Sequence, residues 1–148
     1  MPAERPGPLY LTLDQGGHAS RALVFNAQGA AQARSLREVQ VHHPQADWVE
    51  QDPEELVASL LEAAREVLHE LGTRRAQIVS AGLATQRSSI VCWDHVTGQA
   101  LSPVISWQDR RAHAWLARFA PHAEAIHAST GLMLSAHYGA SKLRWCLD

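Results

Sequence analysis

Four short runs concentrate the side chains able to do chemistry. The first is Asp14-Gln15-Gly16-Gly17-His18-Ala19-Ser20-Arg21, at the end of an apolar stretch. A carboxylate at a strand end can hold a divalent cation or its water. Two glycines permit a tight turn whose amides approach a phosphate with no side chain in the way. Arg21 can add charge-assisted hydrogen bonds to the same anion. The others are Thr85-Gln86-Arg87-Ser88, Trp107-Gln108-Asp109-Arg110-Arg111 and Ser135-Ala136-His137-Tyr138. Each has a plainer reading beside the functional one. The glycine pair can be a simple hairpin turn, Arg110-Arg111 a solvated helix face, and Trp107 a buried anchor. Asp109 is as readily a helix cap as a site residue.

These runs must be held by the elements around them. Leu9 to Asp14 and Ser20 to Phe25 alternate as paired strands, and Ala31 to Val41 reads as a third strand returning antiparallel. Asp52, Pro53, Glu54 and Glu55 open a helix. Leu56, Leu60, Ala64, Val67 and Leu71 form its apolar stripe, and Gly72 ends it. A fourth strand spans Gln77 to Ala84, with short strands expected at Ile90 to Trp93 and Val104 to Trp107. Asp109 then caps a helix carrying Trp115, Leu116 and Phe119, which Pro121 stops. Helices around His122 to Ser129 and from Gly139 to Leu147 follow. Strands, helix, then more strands and helices give an α/β layer with a mixed sheet. Three of the candidate runs fall at strand ends, the usual ligand positions in such sheets, and the fourth lies in the loop before the last helix.

Composition narrows the function classes. With 46% apolar and 19% charged residues, the chain reads as a soluble globular domain. A net charge of -2 leaves no electrostatic footprint for nucleic acid or an anionic membrane. No apolar run is long enough to cross a bilayer, residues 1–8 read as a disordered lead-in, and a cytoplasmic setting is expected. Cys92 and Cys146 are too far apart in sequence for a zinc or disulfide framework. The histidines lack metal-ligand spacing. No Walker-type lysine and no Gly-x-Gly-x-x-Gly follows the first strand.

Seven motifs occur in order: Leu13-Asp14-Gln15-Gly16, Ser20-Arg21-Ala22, Trp48-Val49-Glu50-Gln51-Asp52-Pro53-Glu54-Glu55, Gln86-Arg87, Trp107-Gln108-Asp109-Arg110-Arg111, Thr130-Gly131-Leu132 and Ser141-Lys142-Leu143-Arg144-Trp145. Together they resemble the N-terminal portion of the FGGY carbohydrate kinases, and within them the glycerol kinases, over residues 9–148. The resemblance implies part of an α/β, ribonuclease-H-like domain of the actin and hexokinase type. It implies transfer of the γ-phosphoryl group of ATP, with Mg2+, to a hydroxyl of a polyol or sugar. Asp14 would lie near the magnesium and the transferred phosphate. Gln15, Gly16, Gly17, His18, Ser20 and Arg21 would hold phosphates. Gln86, Arg87, Ser88, Trp107, Asp109, His137 and Tyr138 would form the substrate set, with Arg87 bonding hydroxyls and Trp107 packing on the carbon skeleton.

Departures from the family pattern bear on the substrate. Gly17 and His18 stand where glycerol kinases carry threonines, Ser88 where they carry glutamate, and His137 where they carry tyrosine. Half the polyol contacts are thus altered, and a substrate other than glycerol is expected. The family's catalytic base and adenine-binding domain lie beyond the position of Asp148, so the chain reads as an incomplete domain. A homo-oligomer is compatible with it, as is a truncated, non-catalytic module that binds a sugar or a partner.

Overall fold

A computed structural model describes residues 7–148. Most of the expected lead-in, residues 1–6, lies outside the described residues. The chain divides into two compact units. One runs up to Gln40 and resumes over Glu54–Gln86; the other comprises Val41–Pro53 and Arg87–Asp148.

The first unit holds a mixed four-stranded sheet. Its strands are β1 (Leu9–Gln15), β2 (Ala19–Asn26), β3 (Ala31–Glu38) and, after the helix, a fourth at Ile78–Ala84. The spatial order places β2 between β3 and β1, with the Ile78–Ala84 strand on the other side of β1. β1 pairs antiparallel with β2 and parallel with the later strand, and β2 pairs antiparallel with β3. The parallel pair requires a crossover, supplied by α1 (Pro53–Leu71). Period-two alternation sends Ser20, Ala22 and Val24 of β2 to the buried side. Ala22, Val24, Leu9 and Ala33 form one core with Ala63, Val67 and Leu71 of α1.

The third strand ends at Glu38 rather than Val41, with one further in-register bond from the Val39 amide to the His18 carbonyl at 3.0 Å. The buried stripe of α1 is Leu56, Ser59, Ala63, Val67 and Leu71, so Ser59 and Ala63 replace the expected Leu60 and Ala64. Small residues there let the helix approach the sheet closely, and Ser59 Oγ pairs with Ser20 Oγ at 2.8 Å. Gly72 follows α1 with φ of 55°, a conformation that suits a helix stop. A 3-10 turn, Gly72–Gln77, leads into the next strand.

The second unit is built on a small antiparallel pair, β4 (Glu50–Gln51) with Val104–Ile105. With the Ile78–Ala84 strand numbered β5, the latter is β6. Residues 90–93 form isolated bridges, Ile90 to Ile105 and Trp93 to Ala100, rather than the expected strand. The ladder breaks because the Cys92 amide donates to Ser102 Oγ, a side chain, at 3.0 Å. Helices α2 (His113–Leu116), α3 (Ala123–Thr130) and α4 (Gly139–Leu147) complete the unit. Pro121 does not stop a helix. It sits inside the 3-10 turn Ala117–His122, which runs straight into α3. Gly131, at φ of 72°, ends α3.

Candidate functional site

In the first unit the expected phosphate residues surround the turn between β1 and β2. Gly16 N donates to the Ala19 carbonyl at 3.0 Å, closing a turn of Gly16, Gly17 and His18. A Cβ at Gly16 would lie 3.0 Å from that carbonyl oxygen and 3.2 Å from Arg21 Nη1. This close approach, rather than a positive φ, favours glycine here. Antiparallel register sets Asp14 opposite Arg21, and Arg21 Nη1 donates to Asp14 Oδ2 at 3.0 Å. Both side chains are about half exposed, at 43% for Arg21 and 47% for Asp14. The pair therefore contributes little to stability and stays open to solvent and ligand. His18 is exposed on the turn.

Two assignments change here. Ser20 is fully buried on the α1 face and bonded to Ser59, so its hydroxyl does not reach the turn surface. Strand alternation sends Arg21 to one face and Ser20 to the other. Gln86, expected in the substrate set, lies against the turn. Its Nε2 donates to Gln15 Oε1 at 3.1 Å and to the Gly16 carbonyl at 3.0 Å. Gln15 Nε2 also donates to the Gly16 carbonyl, at 2.9 Å. Gln15 at the end of β1 and Gln86, two residues past the Ile78–Ala84 strand, thus brace the turn.

Arg87, Ser88, Trp107, Asp109, His137 and Tyr138 belong to the second unit. Trp107 and His137 come together, their rings edge to face with centroids 5.5 Å apart. They line a pocket of about 190 Å3 with Gln108, Arg110, Ser135 and Ala136. Trp107 is not a buried anchor; it is 37% exposed. Its amide donates to Ser89 Oγ at 3.0 Å, which fixes the backbone and leaves the indole free to face a ligand. Arg87 is exposed. Ser88 holds φ of 64°, the one positive value outside glycine among the described residues. Such a conformation costs about 1 kcal/mol for a residue with a Cβ. Tyr138 instead lines a neighbouring apolar pocket of about 270 Å3 with Trp115, Phe119 and Met133.

Asp109 neither lines the Trp107–His137 pocket nor caps a helix. It is 1% exposed, and α2 begins later, after Ala112, with no side-chain cap. Its Oδ2 accepts from the Val49 amide at 2.7 Å, and both oxygens accept from Arg111 Nε at 3.0 Å. Arg111 Nη2 also reaches Glu50 Oε1 at 2.7 Å. The guanidinium carbon lies 3.9 Å from the Trp48 ring centroid and 4.6 Å from that of Trp145. Arg111 Nη1 has no hydrogen-bond partner among the described residues, consistent with a cation gripped by ring faces. Burial works against this charge, but Asp109 and Glu50 outweigh it and hold the guanidinium pKa above its ordinary value. The Trp107–Arg111 run thus alternates exposed pocket residues with buried bracing ones. Gln108, Arg110, Ser135 and Ala136 also line the pocket outside the expected substrate set, although each lies inside one of the four runs.

Among the described residues no group of three His, Cys, Asp or Glu side chains converges on a metal. A magnesium ion needs no such cage, because it is commonly held by one or two carboxylates, phosphate oxygens and water. The exposed Asp14 carboxylate fits that role. No helix among the described residues is long and apolar enough to cross a membrane.

Residues 9–148 match the N-terminal domain model of the FGGY family of carbohydrate kinases. A glycerol kinase from Aromatoleum aromaticum is 41% identical over 93% of this chain, which spans 28% of that relative's length. Among solved structures, a xylulose kinase from Rhodospirillum rubrum superposes on 93% of the chain with a TM-score of 0.85 at 22% identity. A Plasmodium falciparum glycerol kinase with ADP superposes on 97% with a TM-score of 0.82 at 21% identity. The chain covers 28% and 30% of those two molecules. The chain belongs to the FGGY family of carbohydrate kinases, matching its N-terminal domain.

Proposed function

We propose that this chain supplies the phosphate-contacting hairpin and the substrate pocket of an ATP-dependent kinase acting on a hydroxyl of a polyol or sugar other than glycerol. The observation that carries this reading is the hairpin. An exposed Asp14–Arg21 pair flanks a glycine whose missing Cβ lets backbone and guanidinium close together. Phosphoryl transfer depends mainly on positioning and charge stabilisation. Arg21, the turn amides and exposed His18 offer donors to phosphate oxygens. Asp14 would hold magnesium, which when bound neutralises phosphate charge. In the pocket, Trp107 and His137 present ring faces to C–H groups, while Gln108 and Arg110 offer donors to hydroxyls. A polyol or sugar needs both kinds of surface. The neutral Ser88 removes a carboxylate acceptor that the glycerol kinases carry, which supports a changed substrate. A cytoplasmic setting belongs to the same proposal.

The test is a coupled ADP-release assay over polyols and sugars with MgATP, run on the protein that carries this chain. Turnover of at least one polyol or sugar, abolished by Asp14→Asn, supports the reading. Background rates throughout, with sugar binding retained, would establish the non-catalytic binding module instead.

A further inference from the structure

Lys142 is the sole lysine of the chain. It is 1% exposed, an unusual place for an ammonium. Its Nζ donates to the Ala136 carbonyl at 2.7 Å and to the His137 carbonyl at 2.8 Å. Two successive carbonyls can meet one donor only if the backbone between them curls inward. Curled in this way, residues 135–138 send the His137 ring towards Trp107. The His137 amide donates to Ser135 Oγ at 3.2 Å, and the Tyr138 amide to the Ser135 carbonyl at 3.4 Å, which tightens the same bend. An ammonium has three donors and no acceptor, so two carbonyls use most of its capacity. Burial lowers its pKa below the ordinary lysine value; of the charged groups acting on it, Asp109 favours its charge and Arg111 opposes it. A residue meant only to fill this space would be cheaper as methionine or leucine.

We propose that Lys142 is a positioning residue of the substrate pocket, its buried ammonium clamping the Ala136 and His137 carbonyls so that the His137 ring stands against Trp107. It acts through the 135–138 loop and does not touch the ligand. The identity of that ligand rests on the kinase reading; the clamp itself does not.

The experiment uses the full 148-residue chain without ligand. With one lysine, isotope-labelled lysine yields a single side-chain ammonium signal. Hydrogen-bond couplings from it to the labelled carbonyl carbons of Ala136 and His137 are expected. Lys142 should also be acylated by acetic anhydride at least about tenfold more slowly than the N-terminal amine, as burial against local opening requires. In Lys142→Met the His137 ring signal should lose its Trp107 ring-current shift, while the Arg111 side-chain signal stays in place. Lys142→Arg, which keeps donors for both carbonyls, should recover part of the shift. An unmoved His137 signal in Lys142→Met, or no coupling in the wild type, overturns the proposal. If Lys142→Met fails to fold, the wild-type couplings and the Lys142→Arg signal decide. A protein that turns over no polyol or sugar would defeat the kinase reading and leave the clamp standing.

Discussion

At Gly16 and Ser88 the backbone itself carries the information. Gly16→Ala would put a methyl 3.0 Å from the Ala19 carbonyl and displace Arg21 from Asp14. It is expected to destabilise the chain by about 1–2 kcal/mol and to weaken phosphate binding. Thermal unfolding and isothermal titration with MgADP check both, and an unchanged Tm would show that the turn has room to relax. Ser88→Gly relieves the positive φ and should be neutral or stabilising by up to about 1 kcal/mol. Ser88→Glu restores the carboxylate of the glycerol kinases, and glycerol turnover in the ADP assay should rise. No rise would mean that the pocket differs in more than this one acceptor. Arg111→Ala leaves the buried Asp109 and Glu50 charges unpaired and should cost about 3–5 kcal/mol. Urea unfolding followed by tryptophan emission reads it directly, because Trp48 and Trp145 cover the guanidinium.

Among the elements, α1 shows how a helix chooses its buried face. Leu60 is a better apolar residue than Ser59, yet Ser59 is buried, because the Ser20–Ser59 bond and close sheet packing favour small side chains. Ala63→Leu should therefore cost about 1–3 kcal/mol through overpacking, and Leu60→Ala less than Val67→Ala. Denaturation midpoints of the three variants test this order. The same helix ties to β3 by charge. Ser35 Oγ donates to Glu66 Oε2 at 2.5 Å and Arg37 lies at the same distance, holding the Glu66 carboxyl below its ordinary 4.5. A depressed carboxyl contributes stability that is present above its unfolded pKa and lost as pH falls through its folded one. Glu66→Gln should flatten the loss of Tm between about pH 5 and 3; an unchanged acid slope would place that loss elsewhere.

Across the whole molecule, surface pattern bears on association. β5 pairs only with β1 among the described strands, and its Val79 and Leu83 are 65% and 61% exposed. An apolar edge strand is a template for pairing with another chain. Concentration-dependent sedimentation is expected for this chain, and Val79→Lys with Leu83→Lys should reduce it. A monomer at every concentration would refute that expectation. In the second unit, burial pushes the Cys146 thiol up, and the nearby Cys92 pushes it the same way. Distance in sequence said nothing of that adjacency.

Much of the fold is legible without coordinates, because alternation, capping residues and turn glycines act over a few residues. β1, β2, α1 and α4 follow from such local signals, and the residues lining the Trp107–His137 pocket fall within two of the four runs. Side-chain direction and partner choice are non-local, and there the tertiary structure decided. Ser20 and Arg21 are neighbours in sequence, yet the pleat sends one into the core and the other to Asp14. Asp109 reads as a cap or a ligand contact until Val49, Glu50 and Arg111 close around it. Gln86 stands beside Arg87 in one motif, but parallel pairing of β5 with β1 brings it to the glycine turn. Lys142 looks like a surface residue of α4 until the 135–138 loop folds over its ammonium. The sequence by itself determined which residue types are available and where turns and helices begin. Burial and long-range hydrogen bonding, which depend on segments up to about 70 positions apart, determined which of those residues face a ligand and which hold the others in place.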